Sequence, residues 1–150
     1  MGQQQLLLLV LGIVVVGLAV VVGIQAFGEN QKKANADAIT NDVIRIASDT
    51  QAWTLKPAAF GGGNGSFAGV TFAKLGYVAS DATANAVYVN LNADAATSGA
   101  NSGFKLSAIT AGGLTITGCN ANRQNQVVTT ITGTGPGDIA TGLTSVAACS

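Results

Sequence analysis

Residues Leu6–Ile24 read LLLLVLGIVVVGLAVVVGI, a run without one charged side chain. At about 1.5 Å per residue such a run spans roughly 28 Å as a helix, enough to cross the hydrocarbon core of a bilayer. It is apolar on every side, so it requires burial on every side. Intrinsic preference works against the helix. Gly12, Gly17 and Gly23 frame the β-branched residues Ile13, Val14, Val15, Val16, Val20, Val21 and Val22. Relative to alanine these cost roughly 6 kcal/mol of helix propensity in water. A bilayer enforces helix regardless, because backbone groups find no water there. Inside a polymer that constraint is looser, and local unwinding is expected between Val14 and Gly23. Gly12, Gly17, Gly23 and Gly28 would let helices approach closely, although they do not form the four-residue small-residue motif.

Downstream the pattern changes. From Glu29 to Lys56 the chain is polar and periodic, and Ile39, Val43, Ile46, Thr50 and Trp53 fall on one helical stripe. Glu29–Lys33, Lys33–Asp37 and Arg45–Asp49 are four apart and Asp42–Arg45 three apart, spacings that suit helix ion pairs. Pro57 ends the helix. PAAFGGGNG, Pro57–Gly65, is a linker by composition. Alternating segments follow at Ser66–Phe72, Ala86–Leu91, Gly103–Ile109, Leu114–Gly118 and Gln126–Thr132. Ala111-Gly112-Gly113 and Asn120–Asn125 read as their connections. Short sequential strands favour an antiparallel sheet, and the Ile39–Trp53 stripe is the partner available to its apolar face. The fold class is therefore α+β, a long N-terminal helix, apolar then amphipathic, packed on an antiparallel β-sheet. Its expected parts are an apolar helix over 1–28, the amphipathic continuation over 29–56 and a β-rich head over 57–150.

Composition excludes most chemistry. The chain has 150 residues, seven Lys and Arg, seven Asp and Glu, and no His. Without His there is no Ser–His or Cys–His nucleophile pair, and two cysteines alone cannot close a zinc site. No phosphate loop or dinucleotide fingerprint follows a strand. Asn90, Asn92 and Asp94 alternate faintly like a calcium loop but lack its glycine and distal glutamate. The expectation is a protein that is no enzyme and has no cofactor or metal. No basic patch exists to hold nucleic acid. Cys119 and Cys149 are either an oxidised pair outside the cytoplasm or two buried thiols. Joined, they would tie down the C-terminus and contribute roughly 3–4 kcal/mol by chain entropy. Asn64-Gly65-Ser66 is a glycosylation-type sequon, which makes Asn64 a candidate acceptor.

The apolar N-terminus fits a cleaved signal poorly. No Lys or Arg precedes the run, and Ile24-Gln25-Ala26 is a poor cleavage site. A plain membrane anchor suits its length. The charge rule would then put Lys32 and Lys33 in the cytoplasm, against an oxidised cysteine pair. The two agree if a basic leader once preceded Met1 and was removed. A helix that is both anchor and polymer core is the third reading.

The apolar stretch, its amphipathic continuation, the Gly- and Thr-rich strand-forming remainder and the late cysteine pair together resemble a mature type IV pilin, or a pseudopilin of the related type II secretion systems. The resemblance implies a leader clipped by a dedicated peptidase and N-methylation at Met1. It implies a filament core built from Leu6, Leu9, Ile13, Val16, Val20 and Ile24, and a helix-to-sheet core of Ile39, Val43, Ile46 and Trp53. It also implies a disulfide stapling the C-terminal region. The implied partners are identical subunits, the inner membrane before assembly, and the pilus assembly machinery with its leader peptidase. The implied location is an extracellular filament at the cell surface. Gln5 stands where the family usually carries a glutamate that pairs with a neighbour's N-terminal amine. Its amide oxygen can still accept a hydrogen bond from an ammonium, which makes Gln5 the expected docking residue. A monomeric anchored binding protein is the reading from another class.

Overall fold

The structure, a computed structural model, describes residues 2–77, 103–119 and 126–144. Helix α1 runs without a break over Gly2–Leu55. In the single chain the segment from Val14 to Gly23, where unwinding is expected inside a polymer, is helical throughout. The chain divides into two compact units, Met1–Ala34 and Asn35–Ser150. In the first, α1 stands as a lone helix segment.

The second unit holds the core. Ala36, Ile39, Val43, Ile46, Ala47, Thr50, Trp53 and Thr54 are buried along α1, which bears out the stripe and widens it by its small neighbours. Thr50 and Thr54 are fully buried, yet their hydroxyls are satisfied. Each donates to the carbonyl four residues back, on Ile46 at 2.6 Å and on Thr50 at 2.9 Å.

Strands β1 (Gly103–Ser107), β2 (Leu114–Cys119), β3 (Gln126–Ile131) and β4 (Ile139–Thr144) form an antiparallel meander in the order β1-β2-β3-β4. Leu106 lies opposite Ile116, Phe104 opposite Gly118, and Leu114 opposite Ile131. This register puts Phe104, Leu106, Leu114, Ile116, Val127 and Ile131 into one core with the helix stripe. Gly118 marks the close approach. A Cβ there would stand 2.6 Å from Val43 Cγ2 and 2.7 Å from Ile39 Cγ2, so any side chain would have to push the helix residues aside.

Two segments differ from expectation, and one strand was missed. Ser66–Phe72 is a turn-rich loop, not a strand. Gly69 takes a φ of +77°, and the Val70 N–H donates to the Phe67 carbonyl at 3.2 Å. That turn sends Phe67, Val70 and Phe72 inward together, which strict alternation would not allow. Pro57–Gly65 is a built cap rather than a loose linker. The N–H groups of Gly63, Asn64 and Gly65 donate to the carbonyls of Trp53, Lys56 and Thr54 at 2.9, 3.0 and 2.7 Å, serving the orphan carbonyls of the helix end. The missed strand is β4. Its chain reversal depends on Asp138, whose carboxylate accepts the Gly135 N–H at 2.8 Å. The Ala86–Leu91 strand, the Asn120–Asn125 connection and Asn90, Asn92 and Asp94 lie outside the described residues.

The charges pair differently as well. Glu29 meets Lys32 at 3.4 Å, three residues on, instead of Lys33. Asp49 accepts the hydroxyl of Tyr77 instead of pairing with Arg45. Burial, then the hydrogen bond to Asp49 and its negative charge, push the Tyr77 phenol from 10.0 up to about 12, against the opposing field of Arg45.

Two outcomes follow from this packing. Gly118→Ala forces Val43 and Ile39 aside and should cost about 1–3 kcal/mol, read by urea unfolding in detergent. Because the folded-state pKa of Tyr77 is raised, its contribution is fully present below pH 10.0 and is lost as pH rises through about 12. Tyr77→Phe should therefore flatten the alkaline limb of the melting temperature against pH. An unchanged limb would show that the phenol is not responsible.

Candidate assembly surface

The N-terminal unit is one helix whose apolar side chains are exposed and have no partner among the described residues. Leu6, Leu9, Ile13, Val16, Val20 and Ile24 are all exposed, and across 6–24 the large apolar side chains range from 52 % to 71 % exposed. They cover every side of the helix, so no single face is left for a core. An apolar surface of this extent is far larger than the few hundred Å² that soluble monomers expose. By length and composition α1 can cross a membrane. Gln5 is exposed one turn before Leu9 on the same helix. Positions Gly12, Gly17, Gly23 and Gly28 have no atom within 4 Å of an added Cβ, which leaves the backbone open to a neighbouring helix. Met1 lies outside the described residues.

In the other unit, Ile39, Val43, Ile46 and Trp53 sit in the head core as expected. Trp53 also holds the helix cap, donating its indole N–H to the Gly61 carbonyl at 2.9 Å. The Lys74 ammonium lies 5.6 Å from the centre of its ring and donates to the Gly69 carbonyl at 2.7 Å. Asn64 is exposed on the cap with a φ of +51°. Cys119 is buried at the end of β2, and among the described residues no cysteine is free. Cys149 lies outside the described residues. No group of three or more His, Cys, Asp or Glu that could hold a metal occurs among the described residues.

Residue-by-residue reading missed three structural contributors. Gln51 donates through Nε2 to the carbonyls of Gly133 and Gly135 at 2.9 and 3.0 Å, tying the β3–β4 loop to the helix. Tyr77 and Gly118 are the other two. A glycine within an alternating segment signals close approach and could have revealed Gly118. Nothing local marks Gln51 or Tyr77.

A long apolar N-terminal helix packed through its second half on a four-strand antiparallel sheet is a pilin-like architecture. No protein-family model, curated protein or solved structure matches the chain.

Separate burial of the head and exposure of the N-terminal helix predict a division of labour. Removal of residues 1–28 should leave a soluble, folded monomer, measured by circular dichroism and sedimentation. A truncated chain that is unfolded, or that still polymerises, would contradict it.

Proposed function

We propose that this chain is a structural protein, the major subunit of an extracellular type IV pilus-like filament. The observation that carries the proposal is an all-round apolar, exposed helix joined to a head that buries its own core. Lipid of the inner membrane satisfies that helix before assembly, and copies of it satisfy it afterwards. Assembly itself is the mechanism. Subunits processed at Met1 by a leader peptidase wait in the membrane, the assembly machinery extracts them, and Leu6–Ile24 becomes the filament core. Gln5 docks through its amide oxygen beside a neighbour's N-terminus. Cys119 and Cys149 form one intramolecular disulfide that staples the C-terminal region.

Magnitudes rank these contacts. A Val or Leu side chain fully buried from water contributes roughly 1.5–3 kcal/mol, whereas one neutral hydrogen bond nets about 1 kcal/mol. Much of the apolar gain is already present in lipid, so helix packing and the assembly motor supply the difference. Negative-stain imaging is the test. Wild-type chain should form long uniform filaments, Gln5→Ala should lower their yield modestly, and Val15→Asp should abolish them while the subunit is still found in the membrane fraction. Normal filaments from Val15→Asp would sink the proposed core. On the same filaments, mass before and after reduction and alkylation should show one intramolecular bond. Two free thiols would count against both the staple and the extracellular location.

A further inference from the structure

The cap on the end of α1 contains the chain's one Asn-Gly pair, Asn64-Gly65. We propose that this pair is a latent deamidation site, held closed by the cap and released only when the cap opens. The reaction needs no co-reactant except water. The Gly65 backbone nitrogen gives up its proton and attacks Cγ of Asn64. The bond from Cγ to Nδ2 breaks, and ammonia leaves with that proton. The resulting five-membered succinimide is then opened by water at either carbonyl carbon, giving aspartate or isoaspartate. The balance is one amide and one water to one carboxylic acid and one ammonia. Glycine is the residue that least obstructs the ring closure, having no side chain beside the attacking nitrogen.

Geometry closes the nucleophile and leaves the rest of the site open. The Gly65 N–H is donated at 2.7 Å to the carbonyl of Thr54, a residue with no exposed surface. On either side, the Asn64 N–H is committed to the Lys56 carbonyl, and the Gly63 N–H to the Trp53 carbonyl. The loop is close against the indole: a Cβ at Gly63 would be 2.2 Å from the Ser66 carbonyl oxygen and 2.7 Å from Trp53 Cζ3. Asn64 itself is exposed, so water reaches the carboxamide and ammonia can depart. Only withdrawal of Gly65 from Thr54 supplies the attacking nitrogen, which makes the rate a measure of local opening. The isoaspartate product adds one backbone methylene and a negative charge, so it cannot rebuild the cap. The site thus keeps a covalent record of openings at the helix end.

The test uses the full chain, made in a host without N-glycosylation and held in detergent micelles at mildly alkaline pH. Isoaspartate and the amide-to-acid mass change in the peptide containing Asn64 are followed over time. Native chain should react at least about tenfold more slowly than the same chain unfolded in urea. Gly63→Ala, which lifts the loop from Trp53, should move the native rate toward the unfolded one. Amide hydrogen exchange of wild-type chain gives an independent reading, with the Gly65 N–H expected to be protected. Equal native and unfolded rates, an unprotected Gly65 N–H, or a folded Gly63→Ala chain reacting at the wild-type rate would each overturn the proposal.

Discussion

The contact of Val43 and Ile39 with Gly118 is the interaction on which the head depends. There the helix comes within side-chain distance of the sheet backbone, because Gly118 presents nothing in between. The approach lets Phe104, Leu106, Leu114, Ile116, Val127 and Ile131 close around the helix stripe as one cluster. Apolar burial at about 25 cal/mol per Å² acts only when both surfaces leave water together.

The other constraint is the opposite one. Over its first half α1 is exposed, and no other described residue covers it. A helix propensity this poor is sustained when the surroundings offer backbone groups no alternative partner. Lipid meets that requirement, as does a sheath of identical helices. The proposed filament therefore exchanges one apolar surrounding for another, and helix packing decides between them. The open backbone at Gly12, Gly17, Gly23 and Gly28 is where such packing would be tightest.

At its C-terminal end, inside the second unit, α1 runs into a built cap and not an ordinary linker. Trp53 belongs to the core, yet its indole nitrogen holds Gly61, and its carbonyl holds Gly63. Core and cap thereby meet in one residue. The Lys74 ammonium stands over the same ring. Tyr77 and Asp49 fasten the far end of the same loop to the helix.

What the sequence by itself determined is whatever depends on near neighbours along the chain. The absence of charge from Leu6 to Ile24, the 3.6-residue stripe Ile39–Trp53, the stop at Pro57 and the alternation of β1, β2 and β3 are all local signals, and the α+β fold class follows from them. Tertiary structure alone decided the rest. Ser66–Phe72 alternates well enough to read as a strand, but Phe67, Val70 and Phe72 all find the same core, and Gly69 permits the turn that takes them there. Strand β4 carries weak alternation and is held by pairing with β3 and by Asp138 at its entry. Asp49 sits at ideal spacing for Arg45, yet takes Tyr77, 28 residues on. An exposed pair four residues apart is worth only a few tenths of a kcal/mol, less than a partly buried hydrogen bond to a carboxylate. Local rules fail at these places because the winning partner is distant in sequence and close only after folding.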